Sequence, residues 1–161
     1  MKPPPASQQP QAVLFACGLN SVRSPMAAAL LKQMLGGGGG GGHSLYISSA
    51  GVRKGELDPF AAAAMEEIGI DIKGHRPITF EELEDLEGLN FDLIVTLSPE
   101  AHHKALELTR TSAVDVEYWP TADPTAIEGS REQRMNAYRE VRDQLLRRLR
   151  ARFALRPPGN E

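Results

Sequence analysis

Three times along this chain a short apolar run leads into a small polar residue followed by proline: Ser24-Pro25, Asp58-Pro59 and Ser98-Pro99. A Ser or Asp at a helix cap offers its side-chain oxygen to the unpaired amides of the first turn. Proline suits the first helical position because it has no amide to leave unpaired. Each pair therefore predicts a helix start, over Pro25 to Leu35, Pro59 to Ile68 and Pro99 to Leu108. The preceding runs, Ala12 to Ala16, Leu45 to Ser49 and Phe91 to Leu97, are short and do not alternate strictly between apolar and polar. That is the pattern of strands covered on both faces. Val114 to Tyr118 gives a weaker fourth strand. Thr79 with Glu82, and Ser130 with Gln133, have capping-box spacing. The first opens a short acidic helix to about Glu87. The second opens a last helix with Met135, Tyr138, Val141, Leu145 and Leu149 on one stripe. Gly69 ends the helix begun at Pro59.

Alternation of strand and helix predicts the α/β class: a single three-layer domain with a four-stranded parallel sheet and helices on both faces. The turn after the first strand, from Cys17 to Arg23 and into the helix start at Ser24-Pro25, reads as a phosphate-binding loop. The domain is expected over residues 12–153, with a disordered tail at 1–11 and a C-terminal tail at 154–161. The unbroken glycine run Gly36 to Gly42 reads as a flexible connector between helix and strand. It neither follows a strand nor opens a helix, so it does not read as a phosphate loop.

The length of 161 residues suits one domain, and the net charge of -3 predicts no general affinity for nucleic acid. No apolar stretch is long enough to span a membrane, and the Pro- and Gln-rich start lacks a signal-peptide core. A single cysteine excludes an intramolecular disulfide and a cysteine-built zinc site. No metal site is expected, because His102 and His103 have no ligand partner at suitable spacing, and no cofactor is expected. A reducing, cytoplasmic setting is predicted, with a monomer as the working unit.

In open α/β sheets the functional crevice lies beyond the carboxyl ends of the strands. Cys17 stands at one such end, followed by a short turn, then Arg23 and a helix start. A tight loop with amides turned inward holds the oxygens of a phosphate monoester. A helix N-terminus adds partial positive charge, and arginine adds a planar fork for two oxygens. The same field stabilises a thiolate, which attacks phosphorus in line and forms a cysteinyl-phosphate. A lone cysteine at a strand end also fits a small buried hydrophobe. Asp123-Pro124 reads first as one more helix cap, and from the residues alone Asp58 is an equal candidate acid.

Cys17 to Pro25 resembles the phosphate-binding loop of the low-molecular-weight protein tyrosine phosphatase family, a fold shared with related arsenate reductases. Ser49-Ala50-Gly51, Gly69-Ile70-Asp71, Gly74-His75-Arg76, Phe91 to Val95 and Asp123-Pro124 resemble family stretches in the same order, over roughly residues 12–150. The resemblance implies Cys17 as nucleophile, Arg23 as phosphate clamp and Asp123 as acid and then base. It implies that Gly18, Leu19, Asn20, Ser21, Val22 and Ser24 surround the phosphate, with Ser24 bonded to the thiolate. Asn20 would hold the loop's shape, supported by Ser49 and His75. The expected substrate is a phosphorylated protein or a small phosphomonoester.

Three departures from the family pattern matter. The family's glycine two residues after the cysteine is Leu19 here, a strained choice if that backbone must take a positive φ. A second loop cysteine is replaced by Val22, and aromatics after the Asp-Pro by Thr125 and Ala126. Two alternatives follow: an arsenate reductase that uses an external thiol, and a non-catalytic module that binds phosphate or phosphoprotein.

Overall fold

In a computed structural model, residues 9–36 and 45–153 are described. The tail at 154–161, most of the tail at 1–11 and Gly37 to Gly42 of the glycine run lie outside them. The elements are β1 (Ala12–Cys17), α1 (Arg23–Gly36), β2 (Tyr46–Gly51), α2 (Pro59–Glu66), α3 (Phe80–Glu87), β3 (Leu93–Thr96), α4 (Pro99–Leu108), β4 (Asp115–Tyr118), a 3-10 turn (Pro124–Ala126) and α5 (Arg131–Phe153). The four strands form one sheet in the order β2-β1-β3-β4, with every pairing parallel. The expected class and layering are therefore what the chain adopts.

Sheet order fixes where the chemistry can sit. The chain moves from β1 to β2 on one side, then crosses back to β3 on the other. The reversal leaves a crevice beyond the carboxyl ends of β1 and β3, and Cys17 is the last residue of β1. Successive β1 side chains enter two separate cores. Val13, Phe15 and Cys17 join α1, α2 and α5 on one face. Leu14 and Ala16 join Phe80, Leu83, Ala101 and Ala105 of α3 and α4 on the other. Burial on both faces is why β1 does not alternate in the sequence.

The capping signals mostly hold. Asp58 accepts from the Phe60 amide (2.8 Å) and Ser98 from the Ala101 amide (3.2 Å). Both capping boxes form. Helix α2 leaves through Gly69 at φ 83, with Gly69 N donating to Glu66 O and Ile70 N to Met65 O. That is the paired exit of a Schellman turn, which requires a left-handed residue that glycine adopts freely.

One cap fails. Ser24 lies inside α1, which begins at Arg23, and Met26 N already bonds Val22 O. The Ser24 hydroxyl is drawn to Cys17 and Asn20 instead of to the helix amides. Strand β3 is shorter than the apolar run suggested. Asp92, at its start, uses its carboxylate to receive the amides of Gln11 and Ala12.

Helices α2 and α5 are joined by a charged clamp. Glu67 receives Arg139 through Nε and Nη2 (3.0 and 2.7 Å) and Arg142 through Nη1 (2.9 Å). Bonding to Arg139, then to Arg142, holds the Glu67 carboxyl down at about 2, below its ordinary 4.5. A carboxyl depressed on folding stabilises the fold above its unfolded value and loses that contribution as pH falls through the folded one. In urea unfolding, the stability gap between the natural chain and Glu67→Gln is expected to be full above about pH 4.5 and to close towards pH 2. A gap that does not depend on pH would refute the clamp's ionic character.

Candidate active site

The loop between β1 and α1 is shaped by two kinds of partner. The segment Val52 to Asp58, between β2 and α2, runs beside it as a strap. Val52 N donates to Cys17 O (3.2 Å), Arg53 N to Gly18 O (2.8 Å), Gly55 N to Leu19 O (3.0 Å) and Asp58 N to Ser21 O (3.2 Å). Four loop carbonyls are thereby turned outward. Their amide counterparts do the reverse: no described acceptor takes the amide N–H of Gly18, Leu19, Asn20, Ser21 or Val22. A run of unpaired amides ahead of a helix N-terminus is an anion receptor.

The second partner is internal. Among the described residues Asn20 is the one non-glycine residue with positive φ (57°), a conformation that asparagine tolerates better than most. Its Nδ2 donates to Ser24 Oγ (2.8 Å) and Ser49 Oγ (3.0 Å). Its Oδ1 accepts from Ile78 N (2.9 Å), and its carbonyl accepts from His75 Nε2 (3.0 Å). Burial pushes the His75 pKa down, outweighing the Asn20 carbonyl, which raises it. His75 is therefore a neutral donor at neutral pH. Leu19 does not carry the positive φ, so its place in the loop is unstrained; it is exposed at the rim.

Cys17 Sγ is buried and lies 3.0 Å from Ser24 Oγ. That oxygen also accepts from Asn20 Nδ2, and its own proton can be given to the sulfur. Arg23 Nη1 donates to Thr121 O (2.9 Å), which ties the start of α1 to the segment leading to Asp123. Cys17, Arg23, Ser21, Val22 and Asp123 line one cavity of about 740 Å³.

The structure separates the two candidate acids. Both Asp58 oxygens are engaged, one by the Phe60 amide and one by Tyr138 Oη (2.7 Å). Asp123 uses only Oδ1, for the amide and hydroxyl of Thr125. Its Oδ2 has no partner among the described residues. The aromatics before Asp123 do not substitute for those missing after it. Trp119 packs edge-on against Phe15, and Tyr118 stacks on His102. Among the described residues no group of three or more His, Cys, Asp or Glu is arranged to hold a metal, and no helix is long and apolar enough to cross a membrane.

Sequence reasoning missed the strap. Its one available signal was Gly51 and Gly55. A Cβ at Gly51 would stand 2.5 Å from Arg53 O and 2.8 Å from Asn20 N. A Cβ at Gly55 would stand 2.6 Å from Ser21 Oγ. Gly51→Ala must therefore move backbone, and it is expected to cost about 1–3 kcal/mol in urea unfolding. It should also cut kcat/KM more than Gly74→Ala, whose Cβ meets nothing within 4 Å. Equal effects at the two positions would overturn the strap's role.

Known proteins are similar to this one along most of the chain. An arsenate reductase of Bacillus subtilis (strain 168) is 34% identical over 139 residues, 86% of this chain and 91% of its own. A solved arsenate reductase in the phosphate binding state matches with a TM-score of 0.68 and 27% identity, over 89% of this chain and 97% of that one. The YwlE arginine phosphatase, solved with a phosphorylated active site serine, matches with a TM-score of 0.68 and 25% identity, over 86% and 91%. The profile described as low molecular weight phosphotyrosine protein phosphatase matches residues 12–155, the span that carries the loop, the strap and Asp123, and the chain belongs to that family.

Proposed function

We propose that this protein hydrolyses phosphomonoesters by way of a cysteinyl-phosphate, with phosphotyrosine or a similar monoester as substrate. The observation that carries this reading is the convergence of Cys17, Arg23 and Asp123 on one cavity beside unpaired loop amides. The amides and the Arg23 fork bind the phosphate oxygens. The Cys17 thiolate, held by Ser24, forms the S–P bond as the ester P–O bond breaks. Asp123 gives its proton to the departing oxygen. It then takes one from the water that attacks phosphorus, and the S–P bond breaks to release phosphate and thiolate. His75, Ser49 and Asn20 keep the loop in its binding shape. The cytoplasm suits the chain, since a reducing pool keeps an unpaired thiol usable, and it acts as a monomer.

A second reading rests on the arsenate reductase at 34% identity. Arsenate would form an S–As bond at Cys17 as one As–O bond breaks and that oxygen leaves as water. A solution thiol of the glutathione class would then attack that sulfur, and the S–As bond would break with its electron pair left on arsenic, giving a mixed disulfide and arsenite. The chain holds a single cysteine, so the second thiol must come from outside. One pair of assays decides. Hydrolysis of p-nitrophenyl phosphate without added thiol supports the phosphatase. Arsenate reduction that needs added thiol, without hydrolysis, supports the reductase.

A further inference from the structure

The cavity beyond the phosphate loop has no aromatic side chain among its described lining residues. An aryl group entering it finds nothing to stack on. Its walls carry charge instead: Arg23, Arg53, Glu56, Asp58, Glu100 and Asp123. Most of these are already committed. Arg53 forks onto Glu100 with Nη2 at 2.7 Å and Nε at 3.2 Å. Asp58 holds the Phe60 amide and Tyr138. Arg23 is bonded to Thr121 O and assigned to the phosphate, and Asp123 is assigned to proton transfer. Glu56 has no hydrogen bond or ion pair among the described residues.

Glu56 is also held in place. It sits in the strap between Gly55 N and Asp58 N, which bond Leu19 O and Ser21 O of the phosphate loop. The backbone beneath it is therefore fixed relative to the anion receptor. A carboxylate without a counter-charge, lining the same cavity as a bound dianion, raises the energy of the complex. A positive group on the substrate placed between the two reverses that sign.

We propose that Glu56 is a specificity-determining residue, selecting substrates that carry a cationic group, guanidinium or ammonium, at or beside the phosphorylated group. The inference rests on the phosphatase reading of the same site. A single rim charge pair changes affinity by about fivefold.

The test is equilibrium binding of phosphopeptides to full-length Cys17→Ser, which does not consume them, alongside turnover by the natural chain. The phosphotyrosine peptide flanked by lysine is expected to bind about fivefold tighter than its glutamate-flanked counterpart. Adding E56Q should bring the ratio to about one, and E56K should invert it. A phosphoarginine peptide that binds tighter than the lysine-flanked peptide places the cation on the phosphorylated group itself. The opposite order places it on the neighbouring residue. Equal binding of both flanks, a preference that survives E56Q, or no measurable binding by any peptide overturns the proposal. If the binding ratio holds but the natural chain hydrolyses nothing, the hydrolase reading falls and the role of Glu56 stands.

Discussion

Cys17→Ser is expected to turn over p-nitrophenyl phosphate at least about a thousandfold more slowly than the natural chain, while still binding inorganic phosphate. The two halves of this expectation have separate causes. The proposed receptor consists of backbone amides, held by carbonyls bonded to the strap, and of Arg23. None of these depends on the sulfur. The proposed chemistry does, because sulfur attacks phosphorus far more readily than an unactivated serine hydroxyl does. Titration calorimetry with phosphate and steady-state turnover should therefore part company. Activity within tenfold of the natural chain would remove Cys17 from the reaction, whatever the binding result.

Asp123→Asn is expected to lower kcat by about 10²- to 10³-fold on phenyl phosphate. The loss should be much smaller on an ester whose leaving group departs without a proton. This dependence on the leaving group distinguishes an acid from a residue that only shapes the wall, which would slow all esters alike. Asp58→Asn should not reproduce it, since both Asp58 oxygens are engaged by Phe60 N and Tyr138 Oη. A comparable loss at Asp58 that also depended on the leaving group would transfer the acid role there.

Much of the fold was legible because its signals are local. The oxygens of Asp58, Ser98, Thr79 and Ser130 find their amides within a few residues, so a sequence window holds both partners. Ser24 misled for the opposite reason. Its strongest partners, Cys17 and Asn20, come from the loop before the helix, and their pull outweighs the amides of the turn that follows. The doubt over Leu19 came from assigning the left-handed residue by family position. The chain places that conformation one residue later, on Asn20, where four hydrogen bonds hold it. The discrimination between Asp58 and Asp123 depends on Tyr138, which lies far along the chain on α5, so nothing near either aspartate in the sequence announces it. The strap is the least legible part. Its contribution is made by backbone amides, and amides leave no mark in a sequence beyond the glycines that make room for them.

That bracing bears on whether the β1–α1 loop can be transplanted. Residues 17 to 24 look like a portable cassette, one that an engineer might graft into any strand-to-helix turn. Here the direction of its peptide planes is set from outside, by Val52, Arg53, Gly55 and Asp58. A graft of the cassette alone would carry the thiol and the arginine but free its carbonyls to turn inward, towards the anion. The smallest transferable unit is the β1 loop together with the stretch that leaves β2, two segments separated by α1 and β2 that must be moved as one.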